Sequence, residues 1–569
     1  MNHIRTIRAL LVMMAVAACF GAGRSLAEEK LDRGVVAIAR ADGSVYVGWR
    51  MLKSDPADAQ FLVYRQMDGK QAKPITTRWV FNSTNVSFVD RTAEPGKTYS
   101  YSVALRGKEP SGEVQAISAK SETPYISIPL QGNYVAQKAT VADLDGDGAL
   151  DYIIKQPNFN TDPYQQPGYW KKSEDTYKIE AYRHDGKFLW RYDMGWAIEE
   201  GIWYSPIVAY DLDGDGKAEV YCKAGEAGSD PRDPDGRVTN GPESLVKING
   251  ETGKVEKRID WPSREGINDY NYYCRNFLAI AYLDGKKPSL IVERGTYTLI
   301  KILAYDGDLN LQWKWESSGP YKDYSGQGSH GFNAADVDGD GCDELVIGSA
   351  CLDHDGKPLW NTRKGHPDAI YVADVDPDRP GLEIFYGIER ASKRGAVALH
   401  DAKTGQEIWG NPEPTKHVHG QGLCADIDAR YPGMESYSHE RDSDTWWLYT
   451  AKGERLPDKP EGSRAVWWDD TPQKALIAGD RDGGKIVKYR GATLGKIEGN
   501  VVCIADCLGD WREEIITCVP GELRIYTTTI PATTRRTTLL QNRMYRTRVA
   551  VETMGYFYPP QLGTAEMGD

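Results

Sequence analysis

Carboxylates spaced two apart around glycine are the chemistry this chain repeats. Asp336, Asp338, Asp340 and Glu344 stand in the run Asp336-Val-Asp338-Gly-Asp340-Gly-Cys-Asp343-Glu344. Asp143, Asp145, Asp147 and Asp151 form a second such run, and Asp211, Asp213, Asp215 and Glu219 a third. Acids fall at relative positions 1, 3, 5 and 9 in each. A hard cation such as Ca²⁺ takes about 6–8 oxygen ligands in flexible geometry, and side-chain oxygens crowded on one tight turn supply them. The intervening glycines permit the positive-φ backbone that wraps an ion. Several calcium ions are therefore the expected cofactors.

These runs are not EF-hands. An EF-hand loop carries a bidentate Glu at position 12 and sits between helices. Position 12 here is Ile154, Cys222 or Ile347, and strand-forming residues flank each run. The unit reads as strand, acidic turn, strand. The rival to a metal loop is a solvated Asp/Gly hairpin. Looser copies follow: Asp374 and Asp376 with Glu383, and Asp426 and Asp428 with Glu435, each with one extra residue before the last acid. Asp506 to Glu514 keeps the ends of the pattern, and Asp284 and Asp469-Asp470 keep its apolar approach. Eight units then span 143 to 514, at intervals of about 40 to 70 residues. Repeats of that size, each a few strands long, predict an all-β, eight-bladed β-propeller over residues 123–569.

The N-terminus reads as an export signal over residues 1–27. Arg5 and Arg8 precede a short apolar stretch, Ala9 to Ala18, too short to span a bilayer. Ser25-Leu26-Ala27 offers a cleavage site, and Val16-Ala17-Ala18-Cys19 offers a lipoprotein box with Cys19 as the lipidated residue. Either predicts a secreted, periplasmic or cell-surface protein. No other apolar run is long enough for a membrane helix. A net charge of −13 argues against nucleic acid as a partner and fits a protein that binds divalent cations. Nine cysteines without a repeated spacing are no disulfide framework. Cys503 and Cys507 share one turn and offer a local bridge; packed thiols are the alternative reading.

Residues 31–122 precede the repeats and read as a small β-sandwich. Val45, Val47 and Trp49 alternate, as do Phe61 with Val63, and Tyr99, Tyr101, Val103 and Leu105. The run Pro95-Gly-Lys-Thr-Tyr-Ser-Tyr-Ser-Val resembles the late strand of fibronectin type III modules. Within the repeats, long insertions at 155–180, 223–243 and 261–276 carry amides and aromatics suited to sugars: Asn158, Asn160, Trp170, Tyr270, Tyr272 and Tyr273.

Several longer motifs resemble rhamnogalacturonan lyases of polysaccharide lyase family 11. They are Leu31-Asp-Arg-Gly-Val-Val-Ala-Ile, Gly48-Trp-Arg-Met-Leu, Tyr210-Asp-Leu-Asp-Gly-Asp-Gly-Lys-Ala-Glu-Val, Asp353-His-Asp-Gly-Lys, Gly509-Asp-Trp-Arg-Glu-Glu and Leu523-Arg-Ile-Tyr-Thr-Thr-Thr. The resemblance runs in order from about residue 31 to the end. It implies a calcium-rich propeller behind a fibronectin-like module. It also implies β-elimination across the rhamnose–galacturonate bonds of pectin, an acidic polysaccharide. The expected state of the protein is a monomer.

Such a reaction removes the C5 proton of a uronate while its carboxylate is neutralised. A metal ion can do the second task, and a side chain of suitable pKa the first. In a propeller, the ends of neighbouring blades point at one face, so His330, His366, Asp368 and Glu389 can share one ion. The family has equivalents at all four positions. Two departures stand out. The family's Gly-Arg-Gly run before the sixth repeat is His417-Val-His419-Gly420-Gln421-Gly422 here, with Gln421 in the arginine's place. Its Asn-Gly-Thr-Lys run before the eighth has Lys496 as the nearest lysine. His417, His419 and Lys496 are the remaining groups able to move protons, and His419 is the first choice of base. Tyr558, in Tyr556-Phe-Tyr558-Pro-Pro560, resembles the family's tyrosine before Pro-Pro and offers stacking or a proton. Two other readings fit the same residues: a glycan-binding or calcium-dependent adhesion propeller without catalysis, and a lyase for another rhamnose–uronate polymer.

Overall fold

Each acidic run is the turn between the first two strands of a small antiparallel sheet. Ala142 pairs with Asp151, Tyr210 with Glu219, Ala335 with Glu344, Ala373 with Glu383 and Ala425 with Glu435. The residue before the first Asp thus always faces the last acid. The extra residue of the looser copies is absorbed inside the turn. In the three full copies both glycines have positive φ, for example Gly214 at 80° and Gly216 at 92°. That backbone is what L side chains resist, which explains why glycine stands there.

This computed structural model describes residues 30–67, 70–76, 86–117, 125–161, 171–479, 483–556 and 558–563. The N-terminal segment with Cys19, and Trp170, lie outside the described residues. Eight successive sheets follow one another between Lys138 and Tyr526. The second runs Ile207–Tyr210, Glu219–Ala224, Ser244–Ile248, Val255–Asp260, hydrogen-bonded in chain order. Its first three strands are buried throughout, while Val255–Asp260 faces solvent. The sixth has three described strands. The eighth takes its fourth strand, Tyr125–Pro129, from the other end of the repeats, pairing Ile126 with Ile525 and Ile128 with Leu523.

First strands lie against one another in order. That of the first sheet, Lys138–Ala142, touches those of the second and the eighth, and contact continues from the second through to the sixth. A C-terminal helix, Arg543–Val551, rests on the first strands of the first, second, third, fourth and eighth sheets. Asn542 caps it by accepting a hydrogen bond from Tyr545 N. Beyond the helix, Glu552 accepts from Ile504 N at 2.9 Å, and Thr553 donates to the Ile207 carbonyl.

Before the repeats, a three-stranded sheet (Val36–Ala39, Val45–Gly48, Ser87–Asp90) and a four-stranded one (Lys73–Pro74, Phe61–Met67, Thr98–Leu105, Ser111–Ile117) share one core of Val45, Val47, Trp49, Phe61, Val63 and Tyr101. The expected alternation fails at Tyr46, which is also buried. Its hydroxyl reaches Asp510 Oδ2 at 3.0 Å, and Arg512 Nη2 lies 3.0 Å from it, so that face is covered by the eighth sheet. All described cysteines are free thiols, Cys503 and Cys507 included.

Candidate functional site

Four histidines from three successive sheets converge on two carboxylates. His330 sits on the first strand of the fourth sheet, His366 and Asp368 at the start of the fifth, and His419 on the first strand of the sixth. His417 precedes that strand and Glu389 follows the second strand of the fifth sheet. Asp368 Oδ1 lies 3.2 Å from His330 Nε2 and 3.5 Å from His366 Nε2. Its Oδ2 lies 2.9 Å from His419 Nδ1 and accepts Gly420 N at 2.9 Å. Glu389 bridges similarly, 4.0 Å from His366 Nε2 and 3.3 Å from His417 Nε2. Asp368 therefore divides the site, with a buried imidazole pair on one oxygen and a half-exposed pair on the other side.

The protonation states suit this division. Burial pushes the Asp368 carboxyl upward, but the surrounding imidazoles of His330, His366 and His419 outweigh it and hold the group well below the usual carboxylate range. Burial takes His330 down to about 3, so its imidazole is neutral near an ionised carboxylate. Metal ligation requires that combination. Asp368 Oδ1 and His366 Nε2 are buried with no hydrogen-bond partner, and His366 Nδ1 is fixed on the Gly328 carbonyl at 2.5 Å. Two deeply buried ligand atoms aimed at one point, with a neighbour holding the ring, fit a divalent ion. His419 is shifted the other way: its bond to Asp368 raises it, against burial.

Aromatic rings wall the buried side. Tyr297 lies 4.6 Å from His366 between ring centres, Tyr556 5.0 Å from His330, and Trp203 5.6 Å from His330. Tyr272, from the 261–276 insertion, packs on Tyr297 at 5.5 Å. Arg275 stands over the rings of Trp203, Tyr204 and Tyr297. Sequence reasoning missed Trp203, Arg275 and Tyr297. Arg275 was findable, because it directly precedes the first strand of its sheet, as His366 does.

Other expected residues are scattered. Gln421 donates to the Ser463 carbonyl at 3.1 Å, tying the sixth sheet to the loop before the seventh. Asn160 accepts Ile202 N at 2.9 Å, one residue from Trp203, while Asn158 is exposed. Tyr558 donates its hydroxyl to the Asp368 carbonyl and packs on Tyr371 at 5.4 Å. Its proton is thus committed to holding the backbone, and Tyr556 is the tyrosine that faces the histidines. Lys496 is not brought here. It lies on the outermost strand of the seventh sheet, in a cavity with Arg40, Asp42 and Trp468. Spacing along the chain put it near the eighth repeat, but the strand carries it to the rim.

The model of rhamnogalacturonan lyase family 11, C-terminal domain, matches residues 128–566, and that of the rhamnogalacturonan I lyases β-sheet domain matches 27–117. This chain belongs to rhamnogalacturonan lyase family 11. Relatives include the rhamnogalacturonan endolyase YesW of Bacillus subtilis, 36% identical over 97% of this chain and 93% of that one. The rhamnogalacturonan exolyase YesX of the same organism is 36% identical over 94% of each. Among solved structures, the exotype lyase YesX superposes with a TM-score of 0.84 at 33% identity, covering 94% of this chain and 96% of that one. A Bacillus licheniformis rhamnogalacturonan lyase superposes at 0.80 with 34% identity, over the same shares of the two chains.

In this family member the acidic turns divide into two kinds. At the Asp143 turn, backbone amides of Gly146 and Gly148 bind Asp143, each at 2.8 Å. His184 Nδ1 lies 3.6 Å from Asp147 Oδ2. Burial raises Asp143 to about 6, with its acidic neighbours adding to the shift. At the Asp336 turn Glu344 is raised to about 8 in the same way, and its Oε1 has no hydrogen-bond partner. Both turns fit a divalent cation, which offsets that crowding. The Asp211 turn instead holds the buried Lys247 ammonium, 3.0 Å from Asp213 Oδ2 and 3.3 Å from Glu219 Oε1. Lys452 occupies the Asp374 turn, 2.6 Å from Asp376 and 2.9 Å from Asp378. Arg430 Nε meets Asp428 Oδ1 at 2.8 Å in the Asp426 turn. These three fit an added ion less well, because a side-chain cation already stands among their oxygens.

Proposed function

We propose that this chain is a polysaccharide lyase that cleaves rhamnogalacturonan by β-elimination. The observation that carries the reading is 36% identity over nearly the whole chain to two rhamnogalacturonan lyases, in a chain that gathers three histidines on Asp368 and a fourth on Glu389. His330, His366, Asp368 and Glu389 would hold a divalent ion, which supplies charge neutralisation at the uronate carboxylate. His419 accepts the C5 proton. Its Nδ1 is held at Asp368 Oδ2, which leaves Nε2 for the sugar and stabilises the imidazolium that results. The C4–O bond then breaks, the former C–H electrons form the C4–C5 double bond, and the departing oxygen takes up a proton. Trp203, Tyr272 and Tyr297 offer ring faces to the sugars. Gln421 leaves charge compensation to the ion and to His417.

The eight sheets form the blades of a propeller. Ordered contact between first strands, with the eighth sheet against the first, supports this, as does the helix Arg543–Val551 lying across them. Calcium occupies the Asp143 turn, the best fit among the acidic turns that no side-chain cation fills. The protein is exported, as Arg5, Arg8 and the following apolar stretch support, and acts as a monomer. No helix among the described residues is long and apolar enough to cross a membrane.

The test is incubation of purified protein with rhamnogalacturonan I and other pectic polymers, following the ultraviolet absorbance of the unsaturated uronate. Appearance of that product from rhamnogalacturonan I alone supports the reading. Binding without product on every polymer would leave a glycan-binding propeller.

A further inference from the structure

The Asp336 turn differs from its sisters in one residue with its own chemistry. Position 7 of the run is Cys342, where the Asp143 turn has Ala149 and the Asp211 turn Lys217. Ligand atoms of Asp340, Cys342 and His354 all lie within 4.8 Å of one another, as do those of Glu344, Asp353 and His354. His354 Nδ1 stands 3.5 Å from Asp340 Oδ2, 3.9 Å from Glu344 Oε1 and 2.8 Å from Asp353 Oδ1. Ligands on a tetrahedral ion at about 2.0–2.3 Å are separated by roughly 3.3–3.8 Å, so the gaps to Asp340 and Glu344 are close to that size while Asp353 stands nearer, as a neighbour that orients the ring.

Two atoms in the group point independently to a ligand. Glu344 is 0% exposed, yet its Oε1 has no hydrogen-bond partner. His354 Nδ1 is likewise buried without one. Asp343 is not part of the set, since its oxygens take Arg543 Nη2 and Tyr282 N, each at 2.8 Å. The sister turn at Asp143 serves as an internal control. His184 stands there 3.6 Å from Asp147 and 3.7 Å from Asp151, an almost identical arrangement without a thiol.

We propose that Asp340, Cys342 and His354, with Glu344 joining them through the shared imidazole, form a site for a borderline divalent metal of the zinc class, distinct from the oxygen-only calcium sites expected of such turns. Thiolate and imidazole ligands favour Zn²⁺ over hard cations, whereas calcium takes oxygen. The bound ion keeps Asp340 and Glu344 of the turn's carboxylates and gains one soft donor. Among the described cysteines Cys342 alone is not buried, so it is also the one thiol an ion reaches from solvent. His354 lies in the turn between Ala350–Leu352 and Pro358–Asn361. The metal therefore clasps the two turns at one end of the sheet whose first strand carries His330.

The experiment uses the full chain with calcium in excess, titrated with Co²⁺ as a spectroscopic stand-in for zinc. A thiolate-to-cobalt charge-transfer band is expected, saturating at one ion and displaced by Zn²⁺. It should vanish in Cys342→Ser and in His354→Ala, and persist in His184→Ala. Absence of the band from the unmodified protein, or its survival in Cys342→Ser, overturns the proposal. Alkylation gives a second measurement that needs no variant. Zinc should slow carboxamidomethylation of Cys342, located by peptide mass, by about tenfold or more, because metal-held thiolate is withdrawn from reaction, while calcium should not. Equal rates with and without zinc overturn it as well.

Discussion

Asp368 is the residue on which the chemistry turns, because one carboxylate meets three imidazoles. Its Oδ1 side is buried and its Oδ2 side meets the half-exposed His419. Substituting each side separates the roles. His366→Ala should lower lyase turnover by about 10²–10³, the usual cost of one well-placed electrostatic group. It should also lose one tightly held divalent ion, measured by elemental analysis. His419→Ala should lower turnover by about 10²–10⁴, the range for a general base, with the ion retained. Full activity in His419→Ala with loss in His366→Ala would move the base elsewhere and leave the ion. The pH profile follows from the same geometry. A base works in its neutral form, and Asp368 raises His419 above its ordinary value. The acid limb of turnover should therefore lie above the pH of a free imidazole, and a limb below it would contradict the pairing.

At the scale of elements, the sequence displayed the turns but not their occupants. Carboxylate spacing and glycine are local, so Asp143, Asp211 and Asp336 were legible as one motif. Lys247 comes from the third strand of the second sheet, and Lys452 from the turn after the third strand of the sixth, one sheet beyond the Asp374 turn, so only folding shows that they fill the Asp211 and Asp374 turns. The histidine site was legible for a related reason, since each histidine stands near the start of a fifth- or neighbouring-sheet repeat. Trp203 and Tyr297 come from irregular segments with no such register. Lys247→Gln should convert an internally neutralised turn into a cation-dependent one. Its melting temperature should fall below that of the parent in chelator, and calcium should recover more of it than in the parent. Equal calcium responses would mean that Lys247 is not the counter-ion. A buried lysine in the first sheet gives a pH test. Burial lowers Lys155 to about 7, with Lys138 nearby adding to the shift, and its Nζ donates to the Ser205 carbonyl at 2.7 Å. The unfolded chain holds that proton to about pH 10.4, so between the two values it binds more protons than the folded state. Stability should thus rise with pH across that window. Lys155→Met should flatten the rise, as measured by urea denaturation at a series of pH values.

The whole molecule is joined by a strand that belongs to neither end of the repeat order. Tyr125–Pro129 completes the eighth sheet, while the next residues lead into the first. Every other four-stranded sheet of the series is made from consecutive strands, so among the described strands of the repeats this is the place where distant chain segments must pair. Long-range pairing of this kind forms only after a large loop has closed, which makes it the entropically costly step. Ile128, the fourth of the strand's five residues, is 2% exposed, opposite Leu523 and within the core that also holds Trp49 and Trp511. Its side chain therefore ties the N-terminal sheets, the first sheet and the eighth into one cluster. Ile128→Ala should cost about 2–5 kcal/mol, the range for truncating a buried isoleucine. If the repeats close through this strand, the loss must appear in the main cooperative transition, lowering its urea midpoint by tryptophan fluorescence. It should also appear as faster proteolysis throughout the repeats. If instead the strand is an accessory, a minor early transition will separate while the main midpoint stays fixed, and the proposal of a ring joined at the eighth sheet falls.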